Sequence, residues 1–575
     1  MNKKSVLYLS ICLFTLTLLF NPAICKLPSA DIGFHEPSEW NWYMTNTVTP
    51  YLAGHSTNPT VTTDINGARH VVWVDKSDYM GSGTDDDIFY TSGYHNAWNE
   101  IEVVSSTSAS AGSTFPDIAV DDELNVHVAW QDMENYNSSG TDYDIFYRYK
   151  NTTSGAWSTT IVVSDICTFD SVNVSIAVDD FGFVHFAWVD STDIYLAGND
   201  WDIFYRKYNF FTNTWYPIIV ITPDSTGVSN DPCINISPSK DIEGFREVNI
   251  FWSDEAVSGE VISFPNIYCR TWTDLGGWEQ EELISWESIY SSLMPAAYTG
   301  PTGNIHVVWF DQNDGSDYEI FYKRYDMKEN NWTNVESVSL YMSQSSGRCP
   351  PSICVDSADN VHVAWIEGGE YANNGVDDDV LYRRLYTEIN TWTTIEAVAK
   401  ATESTEMSSN PSISIDPIGN IIIVWDDFTD WDLENDYDIF ERGFGRAPDA
   451  PVLEVYWPTP GHTTDTGVVE LMWNLVPSAS EYTIYRSNEF IHDVFSINTI
   501  QLDYTQGNYF MDNLATEGIY YYAIKSYNAH GYTMSNVVYV EYITPHLDEF
   551  TLAFLIIGGS AVIIILISKK RRYKR

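Results

Sequence analysis

A tryptophan returns in the same local setting seven times, at Trp73, Trp130, Trp188, Trp252, Trp309, Trp365 and Trp425, with 56 to 64 residues between neighbours. A period of that length marks an array of structural repeats. The clearest copies read Asn-Val-His-Val-Ala-Trp-Gln-Asp (125–132), Asn-Ile-His-Val-Val-Trp-Phe-Asp (304–311) and Asn-Val-His-Val-Ala-Trp-Ile-Glu (360–367). Large apolar residues alternate there with small or polar ones, and a period of two is the pattern of a β-strand.

Each unit divides into four strand-like pieces: a Pro-led segment such as 351–356, the tryptophan segment, an Ile-Phe-Tyr-Arg segment such as 145–148, and a segment opened by a second tryptophan. Four strands per repeat is the composition of a propeller blade. After the second tryptophan come five residues, an aliphatic residue and then usually Ser or Thr: Trp98 to Ser105, Trp157 to Ser164, Trp215 to Thr222, Trp278 to Ser285, Trp332 to Ser339, and more weakly Trp392 to Ala399. The seventh unit stops at Phe440-Glu-Arg-Gly without this segment, whereas Trp42 to Thr49, near the other end of the chain, fits the same rule. The expected fold is therefore all-β, a ring of seven blades over 39–445 whose N-terminal strand closes the last blade and covers an otherwise open sheet edge.

Lys3 and Lys4, the apolar stretch 6–20 and Ala23-Ile-Cys25 have the parts of a secretory signal over 1–25. The uncharged run 550–568 is long enough for a transmembrane helix and is followed by the basic tail 569–575, which is expected to stay in the cytoplasm. A cell-membrane protein with one span and a large extracellular N-terminal region is the expectation. That exported part sets 21 basic against 80 acidic residues, a balance that repels nucleic acid and attracts cations or basic partners. Cys167, Cys233, Cys269, Cys349 and Cys354 remain after the signal; their number is odd, no spacing suggests a zinc site, and most of them read as buried thiols. Sequons at Asn137, Asn151, Asn173, Asn235 and Asn331 permit glycosylation.

Between 450 and 545 the period changes, and the segment carries Val469-Glu-Leu-Met-Trp473, Tyr482-Thr-Ile-Tyr-Arg-Ser487, Tyr520-Tyr-Tyr-Ala-Ile524 and Asn528-Ala-His-Gly-Tyr-Thr-Met-Ser535. These resemble a fibronectin type III domain, which implies a β-sandwich suited to act as a stalk.

The repeats carry acids at fixed places. One follows the tryptophan strand, and an Asp-X-Asp pair often ends the loop: Asp75 with Asp85 and Asp87, Asp132 with Asp142 and Asp144, Asp190 with Asp200 and Asp202, Glu367 with Asp377 and Asp379, Asp426 with Asp436 and Asp438. First and last acids stand twelve apart in each. Another oxygen-bearing residue often lies three after the first acid (Asp78, Asn135, Asp193, Glu370), and a glycine lies two before the pair at Gly83, Gly140, Gly198 and Gly375. The fifth unit keeps Asp311, Asp314, Asp317 and Glu319 in a shorter loop, and the fourth lacks the pair. Oxygen ligands gathered on flexible loops suit Ca²⁺, although no loop has the EF-hand pattern. A solvated acidic rim rich in turn-forming residues is the reading the same pattern favours, since no complete loop matches a defined calcium motif.

Five histidines (His70, His127, His185, His306, His362) share one repeat position, on a ring too wide for them to converge on one ion, so packing and hydrogen bonding between strands is their expected work. Arg148, Arg206, Arg324, Arg383 and Arg442 recur on the third strand and are expected to serve the scaffold. The repeat resembles those of secreted prokaryotic propellers grouped with sialidase-like proteins. The sialidase machinery implied by that likeness, an arginine cluster with a tyrosine nucleophile, finds no counterpart on the innermost strands, which carry no arginine. The Ser-X-Asp-X-Gly-X-X-Trp box of that family is not reproduced, because the glycine lies six residues before the tryptophan (Gly67 to Trp73, Gly303 to Trp309). The leading expectation is a surface binding or adhesion module for an extracellular glycan or protein, with Tyr79, Tyr136, Trp201 and Trp431 available to stack on sugars. A glycoside-active enzyme and a structural cell-envelope subunit are the alternatives.

Overall fold

A computed structural model describes residues 41–543, except for 43–44, 51, 95–96, 106–111, 195–197, 240–245, 256–263, 274–275, 313–317, 341–348, 369–376, 400–405, 430–435, 446–450, 458–462, 477–478, 480, 492–498 and 529–530, together with 554–557 and 560–563. The segments 1–25 and 569–575, and the residues Asp314, Asp317, Glu370, Gly375 and Trp431, lie outside the described residues. Apart from one 3₁₀ turn at Tyr136–Ser138, every regular element described is a strand.

Two compact units result, and the larger spans Trp40–Arg446. It contains seven antiparallel sheets of four or five strands. In the first blade Ser56–Thr63 is innermost, followed outward by Arg69–Asp75, Asp87–Tyr94 and the short outer pieces Ala97–Trp98 and Glu102–Val103. The innermost strands touch in a closed cycle, from Ser56–Thr63 through Ser113–Val120, Ser171–Val178, Ser229–Pro238, Ser292–Thr299, Ser352–Val355 and Ser408–Ile415 back to Ser56–Thr63. A closed cycle of radial four-stranded sheets is a propeller of seven blades. The last blade, Ser408–Ile415, Ile421–Asp427 and Asp438–Gly445, takes its outer strands from Asn41–Trp42 and Asn46–Thr47, with Trp42 opposite Phe444 and Thr47 opposite Phe440.

The seven repeat tryptophans are all buried to 1 % exposure or less, wedged between sheets beside aliphatic and aromatic neighbours. Burying seven indoles supplies a large share of the apolar area that holds adjacent blades together. Side chains on four of the innermost strands stitch the blades around the axis. Ser412 accepts from the Val61 amide, Asp117 from that of Ile176, Ser175 from that of Ile234 and Ser352 from that of Ile413, at 2.9 to 3.2 Å.

Farther out, a third-strand cation reaches back to a main-chain carbonyl of the preceding blade: Arg148 to Val104, Arg206 to Val163, Arg270 to Ile221, Lys323 to Ile284, Arg383 to Val338 and Arg442 to Val398. The fifth blade thus uses Lys323 rather than Arg324 for this joint, because adjacent strand residues point to opposite faces. Thr91 stands at this position in the first blade. There the seam with the last blade is bridged by the buried ion pair of Arg69 and Glu441, 2.9 Å apart.

Within the other unit a three-stranded sheet (Leu453–Trp457, Val468–Trp473, Tyr509–Asn513) and a six-stranded sheet built on Glu481–Ser487 and Gly518–Asn528 share one core. Trp473 and Tyr482 meet in that core at a ring separation of 5.6 Å, beside Leu471, Ile484 and Tyr522.

Of the apolar run 550–568, expected to be a membrane-spanning helix, only 554–557 and 560–563 are described. Its described part is a pair of short antiparallel strands, Phe554–Ile557 and Ser560–Ile563, and among the described residues no helix is long and apolar enough to cross a membrane. The β-branched Ile556, Ile557, Val562 and Ile563 favour strands, and an apolar run reads as strand or helix alike from periodicity.

Candidate functional site

In six of the seven blades the acid two residues after the repeat tryptophan is a joint of the blade. Asp132 accepts from Trp130 Nε1 at 2.9 Å, Ser113 Oγ at 2.6 Å and the Glu134 amide at 2.7 Å, and it is fully buried. Asp75 does the same with Trp73, Ser56 and Ser77, and Asp190 with Trp188, Ser171 and Thr192. Asp311 is held by Trp309, Ser292 and Ser288. Burial pushes the carboxyls of Asp75, Asp132 and Asp311 upward, against the pull of these hydrogen bonds.

Two members of this set were missed by the spacing of acids. Asp254 accepts from Trp252 and Ser229, although its blade has no Asp-X-Asp pair. In the last blade the joint is Asp427, bonded to Trp425, Ser408 and the Thr429 amide, and not Asp426. Asp427 shares the face of Trp425, and it is Asp427 that lies opposite Asp438. Asp426 points the other way, accepts from Asn410 Nδ2 at 2.9 Å, and is pushed up to about 7, chiefly by burial. The signal that finds both residues is the distance from the tryptophan, two positions, rather than the distance between acids.

The last acid of each loop stands directly opposite the first across the sheet: Asp75 faces Asp87, Asp132 faces Asp144, Asp190 faces Asp202, Asp311 faces Glu319, and Glu367 faces Asp379. The hydroxyl that ends the outer-strand rule is its partner. Ser105 donates to Asp87 at 2.6 Å, Ser164 to Asp144 at 2.8 Å, Thr222 to Asp202 at 2.8 Å and Thr49 to Asp438 at 2.8 Å. The same hydroxyls accept the amides of Ile88, Ile145, Ile203 and Ile439. Thr49 thereby fastens the ring across the closure.

In the sixth blade Ala399 occupies the hydroxyl position. Asp379 is fully buried, and neither of its oxygens has a hydrogen-bond partner. Burial, followed by the charges of Asp377, Asp427 and Asp378, pushes its carboxyl up to about 8. Where the hydroxyl is present the rise is smaller, to about 6 for Asp87 and Asp144 and about 7 for Asp202, again led by burial.

The middle acids fold back over the loop glycines. A Cβ on Gly83 would lie 2.7 Å from Asp85 Oδ1, and one on Gly198 would lie 2.6 Å from Asp200 Oδ1. Both glycines have positive φ (+117° and +115°), so the place requires glycine twice over. Gly83 also donates to Asp78 and Gly198 to Asp193, which gives the additional oxygen-bearing residues a role inside the loop. Asp142 sits in the equivalent loop next to Gly140, whose amide bonds Asn135. Among the described residues no group of three or more His, Cys, Asp or Glu side chains is gathered so as to hold a metal ion. Tyr79 and Tyr136 pack on Phe89 and Phe146, and Trp201 against the core between the third and fourth blades, so these aromatics are committed to packing.

The histidines are equally committed. His127 bonds Tyr147 Oη at 2.7 Å through Nδ1 and Asp121 at 3.3 Å through Nε2, and His70, His185 and His362 repeat the bond to a tyrosine. In the fifth blade the turn aspartate is replaced by Gly300, and Asp359 of the next blade fills the space instead. A Cβ on Gly300 would meet that carboxylate, whose Oδ2 lies 3.7 Å from His306.

A cavity of about 310 Å³ opens where the innermost strands end, at the opposite end of those strands from the acid-rich loops. Thr63, Asp64, Tyr298, Thr299, Asp356 and Asp416, from the first, fifth, sixth and seventh blades, contribute to its wall. Asp64 accepts the amides of Asn66 and Ala68, and Asp356 those of Ala358 and Asn360. Burial works to raise both, but the bonds from His70 and from His362 with Asn360, together with these amides, outweigh it; Asp64 ends below its ordinary range and Asp356 at about 2. Asp416 is bonded by the amides of Ile418 and Asn420. Tyr298, 39 % exposed, supplies an aromatic surface.

No family model matches the chain, and no curated protein matches it. Among solved structures it is similar to a protein of unknown function from Dyadobacter fermentans, at a TM-score of 0.41 and 11 % identity over 71 % of this chain and 99 % of that one. A leech intramolecular trans-sialidase gives 0.38 and 11 % over 69 % and 70 %. The sialidase of Trypanosoma rangeli gives 0.35 and 8 % over 85 % of each chain. Similarities this remote do not bear on what the chain does.

Proposed function

We propose that this chain is a membrane-anchored cell-surface protein that presents its propeller to an extracellular glycan or protein partner, with the axial cavity as the ligand site. The observation that carries this reading is the state of the cavity's carboxylates. Asp64, Asp356 and Asp416 are each fixed by main-chain amides, the first two held below the ordinary carboxylate range and Asp416 raised by burial, so all three are tied into the turns of a wall that offers acceptors and an aromatic surface. Hydroxyls and ammonium groups suit such a wall; the alternative, glycoside cleavage, requires two carboxyls of opposite protonation state beside the scissile bond and is tested by turnover. The signal-like segment 1–25 and the apolar run 550–568 with its basic tail support placement at the cell surface. The unit after residue 450, read as a fibronectin type III stalk, separates the propeller from the anchor in sequence.

The test is equilibrium binding of the purified full-length chain to a glycan array and to basic peptides, with Tyr298→Ala alongside. An affinity reduced about tenfold in the variant, at an unchanged melting temperature, supports the reading. Binding that ignores the substitution, or no binding at all, removes the cavity as the ligand site. Turnover of an arrayed glycan would replace the binding reading with an enzymatic one.

A further inference from the structure

The sixth blade differs from its neighbours in a coordinated way at the acid-rich rim. Glu367 stands where the other blades have aspartate, and Ala399 where six have Ser or Thr. The indole Nε1 of Trp365 is buried without an acceptor, unlike that of Trp130 or Trp309. The loss of the hydroxyl leaves both oxygens of Asp379 buried and unpartnered, where Asp87 and Asp144 leave only Oδ2 so, and Asp377 Oδ2 beside it is unpartnered like Asp85 Oδ2 in the first blade. Buried carboxylate oxygens are almost always satisfied, and a set of them left without any donor indicates a bound ion or water. The side chains beside Asp379 along and across the strands offer it no donor: Asp377 lies two residues before it and Glu367 directly opposite.

We infer that Asp377 and Asp379 hold a hard divalent cation of the Ca²⁺ class at the rim of the sixth blade, where it takes the place of the hydroxyl that fastens the other blades. Ca²⁺ accepts oxygen ligands in irregular sets of six to eight, often with waters. Two carboxylates supply up to four of these oxygens, and main-chain carbonyls and water complete the set, in keeping with the absence of a third acidic side chain at ligand distance among the described residues. The site lies at the opposite end of the innermost strands from the cavity assigned above and does not depend on that assignment.

The experiment is calorimetric titration of CaCl₂ into the chelator-treated full-length chain in detergent at pH 7.5, with melting curves run in parallel, for the wild type, Asp379→Asn and Ala399→Ser. A saturable site that disappears in Asp379→Asn and weakens at least tenfold in Ala399→Ser supports the proposal. Ala399→Ser restores the ordinary joint and is expected to fold, so a stable variant with unweakened binding would overturn it. So would a wild type that gives no heat and no change in melting temperature.

Discussion

The second and sixth blades close the same joint with different chemistry. In the second, Trp130, Ser113, Ser164 and the Glu134 amide converge on Asp132 and Asp144, and Ser164 in turn accepts the Ile145 amide. In the sixth, Trp365 Nε1 and both oxygens of Asp379 are buried without partners. The strands and their register are nonetheless the same, with Asp144 opposite Asp132 and Asp379 opposite Glu367. Strand geometry in this repeat is thus set by apolar packing and main-chain pairing, while the polar joint is a separable layer that varies as a group.

The largest effect is expected from removing the complete joint. Asp132→Ala leaves an indole N–H, a hydroxyl and an amide buried without an acceptor, a loss of roughly 3 kcal/mol or more by denaturant unfolding of the propeller. A cost below about 1 kcal/mol would show that packing alone sustains the blade. Next come the paired exchanges. Ser164→Ala gives the second blade the composition of the sixth and should cost about 1–2 kcal/mol, whereas Ala399→Ser should stabilise the chelator-treated protein by about 1 kcal/mol. If both substitutions destabilise equally, the two blades do not differ in the way described.

The smallest expected effect is in the pH profile. Asp87, Asp144, Asp202 and Asp379 have folded-state values raised to between about 6 and about 8, so each favours the folded state when protonated. Their contribution is complete below the ordinary carboxylate range and is lost as pH rises from about 4 to about 8. His185, His306 and His362, lowered chiefly by burial, act in the opposite sense and lose their contribution as pH falls below about 6.5. Asp356, held at about 2, becomes a liability only below about pH 4. Melting temperature is therefore expected to rise by a few degrees between pH 8 and pH 6 and to fall again below pH 4. Asp379→Asn should flatten the upper limb, and a profile unchanged by that substitution would count against the raised carboxyl.

Much of the ring was legible because two signals coincide: the tryptophan period and the two-residue alternation around it. The hydroxyl after the outer tryptophan was legible as a rule but not as a partner, since Ser105 and Asp87 meet only once the outer strand has folded back. The slips share one cause. Asp426 for Asp427 and Arg324 for Lys323 are single-residue shifts, and one residue along a strand reverses the face a side chain occupies. The exchange of Gly300 and Asp359 could not be read at all, because it takes place between blades. The strand pair at 554–557 and 560–563 was not legible, because the length of the apolar run argues for a helix while its β-branched residues suit strands.

The closing strand also has a consequence in time. Trp42 and Thr49 are among the first residues of the propeller to be synthesised, but their partners on Asp438–Gly445 follow roughly 400 residues later, which at ribosomal speeds of about 5–20 residues per second is a wait of about 20 to 80 seconds. Throughout that interval a short, tryptophan-bearing edge has nothing of its own to pair with, and the six blades behind it form an open arc. The vulnerable moment for this molecule is therefore its biogenesis, when a second nascent copy or a chaperone can take the place that the last blade will later fill.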